Sequence, residues 1–205
     1  LRVLAHYCKT GPLVEAFLED QDIHRKTASE IFDTPFAEVT NDQRSSAKAI
    51  NFGIVYGMSA FRLSNELRIS RKHAQAYLDN YFARYPQVKR VQEELIEDAR
   101  KNGYAQTLWG RWRPIPDIAA SNARERAAAE RIALNTPMQG TGADIIKKAM
   151  IRVHQGIESG RIEATLLLQV HDELLLEVPE SAIETTAKQV KQEMEAAAEL
   201  NVPLL

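Results

Sequence analysis

Four side chains in the first third of the chain are spaced so that they could bind a phosphorylated ligand. They are Arg44, Lys48, Phe52 and Tyr56. On an α-helix a four-residue step drifts by only about 40°, so the four would form one slanted stripe, roughly 18 Å long. Two cations followed by two aromatic rings fit a nucleoside triphosphate. An amphipathic helix with two solvated cations and two half-buried rings would have the same spacing, so the stripe alone leaves both interpretations open.

The helix that must position this stripe is predicted over residues 40–58. Apolar residues recur on its opposite face with the spacing of a helix packed on a core: Ala47, Ile50, Ile54 and Met58. Thr40 and Gln43 have the spacing of a capping box, and Gly57 stands where a left-handed residue would end the helix. Gly53 costs about 1 kcal/mol in a helix interior, which indicates a close approach by another group.

The acidic pair Asp172 and Glu173 is a second group of side chains that could take part in chemistry, as ligands of a metal ion. Residues 166–170 and 174–178 are apolar runs on either side of His171 and Asp172, which predicts a tight antiparallel hairpin with Asp172 at its tip. An aspartate in that position usually serves the turn itself. The hairpin alone therefore does not predict a metal site.

Together these motifs resemble those of a known family. Arg44, Lys48, Phe52 and Tyr56 followed by Gly57 resemble the fingers-helix motif of family A DNA polymerases, the bacterial DNA polymerase I group. A chance match of these residues at fixed offsets is roughly one in 10⁴ for a chain of this length. Residues 169–173, with the sequence QVHDE, resemble the palm carboxylate motif of the same family and follow in the expected order.

The resemblance implies template-directed transfer of a deoxynucleotidyl group from a triphosphate to a primer 3′ hydroxyl. It implies that Arg44 and Lys48 hold the phosphates and that Lys48 is a candidate to protonate the leaving group. Phe52 would line the sugar and base, Tyr56 would stack where the templating base enters, and His24 would lie near the triphosphate. The implied partners are deoxynucleoside triphosphates and primer-template DNA.

Three residues that again step by four are implied to contact DNA. By resemblance Arg131, Asn135 and Gln139 contact the minor groove at the primer-template end, and His171 also contacts DNA. The N3 and O2 acceptors occur in every correctly paired base pair, so donors aimed at them test pairing without reading sequence. A solvated helix surface is the alternative interpretation. Pro137 predicts that the helix from Ser121 ends at Asn135, so that Gln139 belongs to the next element.

The implied cofactor is Mg²⁺, two ions in the complete enzyme, with Asp172 as one ligand and Glu173 as a weaker or more distant one. Residues 1–8 resemble the tail of the first palm motif of the family, whose metal-binding aspartate precedes this sequence. We therefore expect the chain to be inactive by itself. A non-catalytic nucleic-acid or nucleotide-binding module derived from a polymerase is the alternative.

The predicted fold is α+β and mostly helical, with a helical fingers module inserted in a partial palm that has a small antiparallel sheet. Residues 13–139 form the fingers in this interpretation, and residues 1–12 and 140–205 belong to the palm. Further helices are predicted near residues 13–18, 70–82, 86–101, 144–158 and 181–199, and a hairpin over residues 105–116.

Composition limits the remaining possibilities. The 205 residues are 44% hydrophobic and 26% charged, with a formal net charge of -2, which is typical of a globular protein. Residues 101–131 are locally basic and residues 172–199 locally acidic. The single cysteine, Cys8, excludes an internal disulfide and is predicted in the core. Without a transmembrane run or a signal peptide, we expect a monomeric, cytoplasmic, nucleoid-associated protein with no membrane partner.

Overall fold

The computed structural model describes residues 1–204, and in these the chain is mostly helical. The helices are α1 (Arg2–Cys8), α2 (Pro12–Leu18), α3 (Ile23–Ile31), α4 (Asn41–Val55), α5 (Ala60–Leu67), α6 (Arg71–Arg84), α7 (Pro86–Asn102), α8 (Ala123–Glu158) and α9 (Ile183–Glu195). The strands are β1 (Tyr104–Gln106), β2 (Trp112–Pro114), β3 (Thr165–Val170) and β4 (Glu173–Glu177). They form two separate antiparallel pairs, β1 with β2 and β3 with β4. The predicted α+β fold class is confirmed.

Side-chain caps position the first helices of the site. Asp22 accepts hydrogen bonds from the first turn of α3, and Ser70 does the same for α6. At α4 the capping box forms in both directions: Thr40 Oγ1 accepts from the Gln43 amide at 3.2 Å, and Gln43 Oε1 accepts from the Thr40 amide at 2.9 Å. Two otherwise unpaired amides of the α4 N-terminus are thereby satisfied.

We expect Thr40→Ala to lower the free energy of unfolding by about 1 kcal/mol, because it removes the hydroxyl that accepts from the α4 N-terminus. Chemical denaturation of the purified chain measures this change. Ser45→Ala is the matched control, since Ser45 is exposed on the same helix and its replacement should change stability by less than about 0.5 kcal/mol. Equal effects of the two substitutions would contradict a capping role for Thr40.

The largest core is formed by the helices from α1 to α7 together with Met138 of α8. Its fully buried members include Leu4, Ile50, Leu63, Tyr81 and Val88. The predicted core face of α4 is confirmed, because Ala47, Ile50 and Ile54 are buried and Met58 packs against this core. Cys8 is buried here as well, and burial raises the pKa of its thiol to about 11.

One prediction about α8 is wrong. The helix does not end before Pro137 but runs for 36 residues from Ala123 to Glu158, with Pro137 inside it. A proline in a helix interior costs about 3 kcal/mol, because it lacks an N–H and its ring crowds the preceding turn. Burial on both sides of Pro137, at Leu134 and Met138 among others, offsets this cost. Gln139 and the predicted helix 144–158 therefore lie on the same helix as Arg131.

The β3–β4 hairpin has the predicted two-residue connection. Val170 pairs with Glu173, and His171 adopts a left-handed conformation with φ 54°. A bulge interrupts the register between Leu166 and Leu168. Helix α9 packs through Val190 and Met194 against the hairpin, as predicted, although it ends at Glu195 rather than near Glu199.

Candidate functional site

The cationic end of the α4 stripe is joined to α3 by Asp22. The Asp22 carboxylate caps α3 by accepting from the amides of His24 and Arg25, and it accepts from Arg44 Nε at 2.7 Å. Burial raises the pKa of Asp22, but the hydrogen bonds and the Arg44 charge more than offset this, so the pKa lies below its ordinary value. Asp22 thus fixes both the start of α3 and the position of Arg44.

His24 lies on α3, and its ring faces Phe52 of α4. The two ring centroids are 5.8 Å apart with their planes tilted by 41°. Desolvation and the nearby charges of Arg44 and Lys48 lower the pKa of His24 below its ordinary value, although Asp22 opposes them. The imidazole is therefore neutral at neutral pH, beside two cations and one carboxylate.

The remaining members of the stripe are open to solvent. Lys48 is exposed and makes no salt bridge with any residue between 1 and 204. Phe52 and Tyr56 are each 38% exposed, which is high for large aromatic side chains on a packed helix. The structure therefore places His24, Arg44, Lys48 and Phe52 on one accessible face, with cations at one end and an aromatic ring at the other.

The C-terminal end of α4 meets α8 at Tyr56 and Gly57. Gly57 has φ 63°, and a side chain there would lie 3.0 Å from Leu134 Cδ1. Beside this contact is an open cavity of about 410 Å³ whose lining includes Tyr56, Met58, Arg62, Arg131, Asn135 and Gln139. The residues predicted to contact DNA on α8 therefore surround the same cavity as Tyr56. Asn135 Oδ1 is buried there without a hydrogen-bond partner among the described residues.

Gly53 does not face this cavity. A Cβ on Gly53 would lie 2.8 Å from Met58 Sδ. The group that closely approaches Gly53 is therefore the Met58 side chain, in the segment that follows α4. Glycine at this position lets residues 57 and 58 fold back onto the helix.

The acidic pair lies at the tip of the β3–β4 hairpin. Asp172 and Glu173 are both exposed, and Asp172 lines an apolar cavity of about 680 Å³ together with Leu1, Gly142 and Met194. Their carboxylate oxygens are the hard donors that Mg²⁺ prefers. Within residues 1–204, however, no cluster of three or more His, Cys, Asp or Glu side chains could hold a metal ion. The donor type fits Mg²⁺, but the pair supplies few ligands.

Several contacts that support the site were missed from sequence. Asn51 and Asp22 hold His24 and Arg44, and Arg111 anchors the β1–β2 loop to α8 through Asp144 and the Gly140 carbonyl, each at 2.8 Å. A signal existed for Asn51, since it is a polar residue on the apolar face of α4. Nothing in the structure explains the exposure of Trp112, which is 63% accessible.

Comparisons with known proteins show the family of the chain. A family model described as DNA polymerase family A matches residues 1–205. The chain belongs to this family. Among its family A relatives, the DNA polymerase I of Pseudomonas aeruginosa is 48% identical over 205 residues, which is 100% of this chain and 22% of that protein. The DNA polymerase I of Bacillus caldotenax is 50% identical over 204 residues, covering 100% of this chain and 23% of that protein.

A solved structure of the same family has a matching fold. It is described as the POL domain of Pol1 from M. smegmatis in complex with DNA primer-template and dNTP. Its TM-score is 0.94 at 42% identity, and the match covers 100% of this chain and 36% of that one. The chain thus spans less than a quarter of the two family A relatives named above. No helix in residues 1–204 is long and apolar enough to cross a membrane.

Proposed function

We propose that this chain is the part of a DNA-directed DNA polymerase that binds the incoming deoxynucleoside triphosphate and the primer-template end. The main observation that supports this proposal is that one accessible surface runs without interruption from α4 to α8. The cationic stripe of α4 leads through Phe52 to Tyr56, and Tyr56 shares a cavity with Arg131, Asn135 and Gln139. A phosphorylated ligand on α4 would place its base beside the donors of α8.

In this proposal the phosphates bind at the start of the stripe. Lys48 is exposed and without an ionic partner in the described chain, and Arg44 keeps hydrogen-bond donors beyond the Nε that Asp22 engages. His24 adds a neutral donor. Phosphoryl transfer depends mostly on positioning and charge stabilisation, so these groups would act by holding the triphosphate and the charge that grows on it. Lys48 would also protonate the leaving group.

The base and the DNA bind further along the same surface. Phe52 contacts the sugar and base, and Tyr56 stacks at the entry of the templating base. Arg131, Asn135 and Gln139 donate to minor-groove acceptors of the last base pair.

Asp172 and Glu173 are the proposed Mg²⁺ ligands, and His171 at the same hairpin tip is a proposed DNA contact. The chemistry that Mg²⁺ supplies when bound is activation of the attacking oxygen and neutralisation of the leaving pyrophosphate. Two ions require more carboxylates than this pair provides. We therefore propose that the 205-residue chain binds DNA and Mg²⁺ weakly and extends primers poorly without further residues.

We also propose the division into fingers, residues 13–139, and palm, residues 1–12 and 140–205, and action as a monomer in the cytoplasm. The second candidate function is a binding module without catalysis. The small number of metal ligands in the described residues favours it. Both candidates share the nucleotide surface and differ only in whether Asp172 supports a reaction.

Photolabelling tests the nucleotide site. The purified chain is irradiated with 8-azido-dATP and digested with trypsin, which should release residues 49–62 because Lys48 and Arg62 flank them. We expect the label on this peptide, which contains Phe52 and Tyr56, and we expect excess dATP to remove it. Label on other peptides, or label that dATP does not displace, would reject the proposed function.

We expect Phe52→Tyr to increase the use of dideoxynucleotides relative to normal nucleotides by about tenfold or more. Phenylalanine offers no hydroxyl, whereas tyrosine adds a donor and acceptor beside the sugar, and one hydrogen bond to a charged or polar group is worth about 1.5 kcal/mol. The assay is competitive primer extension by a chimera in which this chain replaces the matching segment of the Pseudomonas aeruginosa DNA polymerase I. Tyr56→Phe is the control, and an unchanged ratio in Phe52→Tyr would contradict the sugar assignment.

A further inference from the structure

We propose that Asn51 is a positioning residue that fixes the tautomer of His24, so that His24 presents Nε2–H as its donor. The part of this inference that concerns the triphosphate rests on the proposed function. The tautomer itself rests only on contacts within the chain. The relevant residues are His24 and Thr27 on α3, Asn51 on α4 and Tyr85 at the start of α7.

The contacts of Asn51 determine which nitrogen of His24 carries the proton. Asn51 is fully buried, and its Nδ2 lies 3.1 Å from His24 Nδ1 and 3.1 Å from Thr27 Oγ1. An amide nitrogen only donates, so His24 Nδ1 must accept. A neutral imidazole has a single N–H, which is then on Nε2.

Thr27 and Tyr85 form the buried surroundings of the Asn51 amide. Thr27 Oγ1 donates to Asn51 Oδ1 at 3.3 Å and lies 3.5 Å from the Tyr85 hydroxyl. Thr27 and Tyr85 are buried as well, so water does not compete for the amide. With Asn51 Nδ2 against Nδ1 and the ring packed on Phe52 at 5.8 Å, His24 has one free nitrogen, Nε2.

The tautomer matters because His24 is neutral. Its pKa in the chain without ligand lies below the ordinary value as a result of desolvation and the Arg44 and Lys48 charges, so the ring that meets the ligand carries a single proton at neutral pH. With the proton on Nε2, the exposed edge of the ring donates to a phosphate oxygen. With the proton on Nδ1, the same edge would present a lone pair to an anion and repel it.

Nuclear magnetic resonance of the chain labelled with ¹⁵N-histidine measures the tautomer directly. The protein contains five histidines, and loss of one signal set in His24→Gln assigns His24. His6 is an internal reference, because its Nδ1 accepts from the Asn201 backbone amide at 3.1 Å and must also leave the proton on Nε2. Two-bond proton–nitrogen correlations at pH 8 should therefore show the same pattern for His24 and His6.

Two substitutions at position 51 should change His24 and leave His6 as it is. Asn51→Leu removes the donor, so His24 should become a mixture of tautomers. Asn51→Asp replaces the donor by an acceptor, so the proton should move to Nδ1. Thr27→Val is the matched control for a general packing change, because it removes a partner of the Asn51 amide but no partner of His24.

The outcomes separate this proposal from the proposed function. An Nε2–H pattern for His24 that shifts in Asn51→Leu and reverses in Asn51→Asp supports the proposal. An Nδ1–H pattern in the unmodified chain, or a His24 pattern unaffected by both substitutions, overturns it. In the chimera Asn51→Leu should raise the KM for nucleotides by about tenfold, the worth of one hydrogen bond to a charged group. The expected tautomer with an unchanged KM would reject the phosphate role of His24 and leave the positioning role supported.

Discussion

Replacing Asp172 by asparagine in the chimera should lower the rate of nucleotide addition by about 100-fold or more. Changing residues that only support metal ligands already costs about 10- to 100-fold in metal affinity or activity, and Asp172 is proposed as a ligand itself. Asparagine keeps the turn, since it tolerates the same backbone conformations as aspartate. The measurement is the single-turnover rate of primer extension at saturating nucleotide and varied Mg²⁺.

Two controls isolate the role of Asp172. Asp117→Asn removes an exposed carboxylate distant in sequence from the hairpin and should leave the rate unchanged. Glu173→Gln should have a smaller effect than Asp172→Asn, because Glu173 is the weaker proposed ligand. An Asp172→Asn protein with the same rate and the same Mg²⁺ dependence as its parent would favour the non-catalytic binding module for this segment.

Lys48→Ala should lower kcat and raise the nucleotide KM, with kcat/KM falling by about 10²- to 10³-fold. That range is typical for the loss of one group that stabilises transition-state charge in a protected site. Lys48 is exposed on α4 and has no ionic partner in the part of the chain described, so its removal should leave the fold intact. Steady-state kinetics of the chimera measures both constants, and fluorescence anisotropy with a labelled primer-template measures DNA affinity.

Lys188→Ala is the matched control for Lys48→Ala. Lys188 is an exposed lysine on α9, within the acidic C-terminal part of the chain. Its loss should change neither kinetic constant. If Lys48→Ala instead weakened primer-template binding and kept normal nucleotide kinetics, the phosphate assignment of the α4 stripe would have to be withdrawn.

Much of the fold was predictable because its signals are local. The Thr40 capping box, the Ser70 cap and the left-handed Gly103 each act within a few residues of the helix end that they determine. The same holds for the two-residue turn at His171. The α4 stripe also follows from helical spacing alone, and its exposure agrees with the predicted division into a core face and a solvent-accessible face.

The helix end predicted at Pro137 was wrong because two opposing free energies compete there, the cost of the proline and the gain from burial. Local sequence does not show which is larger. The proline rule is correct about the lost hydrogen bond, but the burial of Leu134, Pro137 and Met138 depends on contacts with distant elements. Continuity of α8 has a functional consequence, because it places Arg131, Asn135 and Gln139 on one rigid element rather than two. The positions of these three side chains relative to each other are therefore set by a single helix.

Contacts between different helices are the second feature that could not be predicted from the sequence. The Arg44–Asp22 pair joins residues 22 positions apart, and the Asn51–His24 contact joins residues 27 apart. Spacing along one helix gives no information about such partners. The cavity shared by Tyr56 and α8 is a third example, since it depends on how the end of α4 packs at Leu134.

The central claim is that α4 and α8 together hold the nucleotide that a template specifies. The most direct measurement is single-nucleotide addition by the chimera on four primer-templates that differ only in the templating base. We predict that the complementary nucleotide alone is added efficiently on each template, and that Arg44→Ala combined with Lys48→Ala abolishes addition while primer-template affinity is kept. Addition that ignores the templating base, or that persists unchanged in the double variant, would contradict the account.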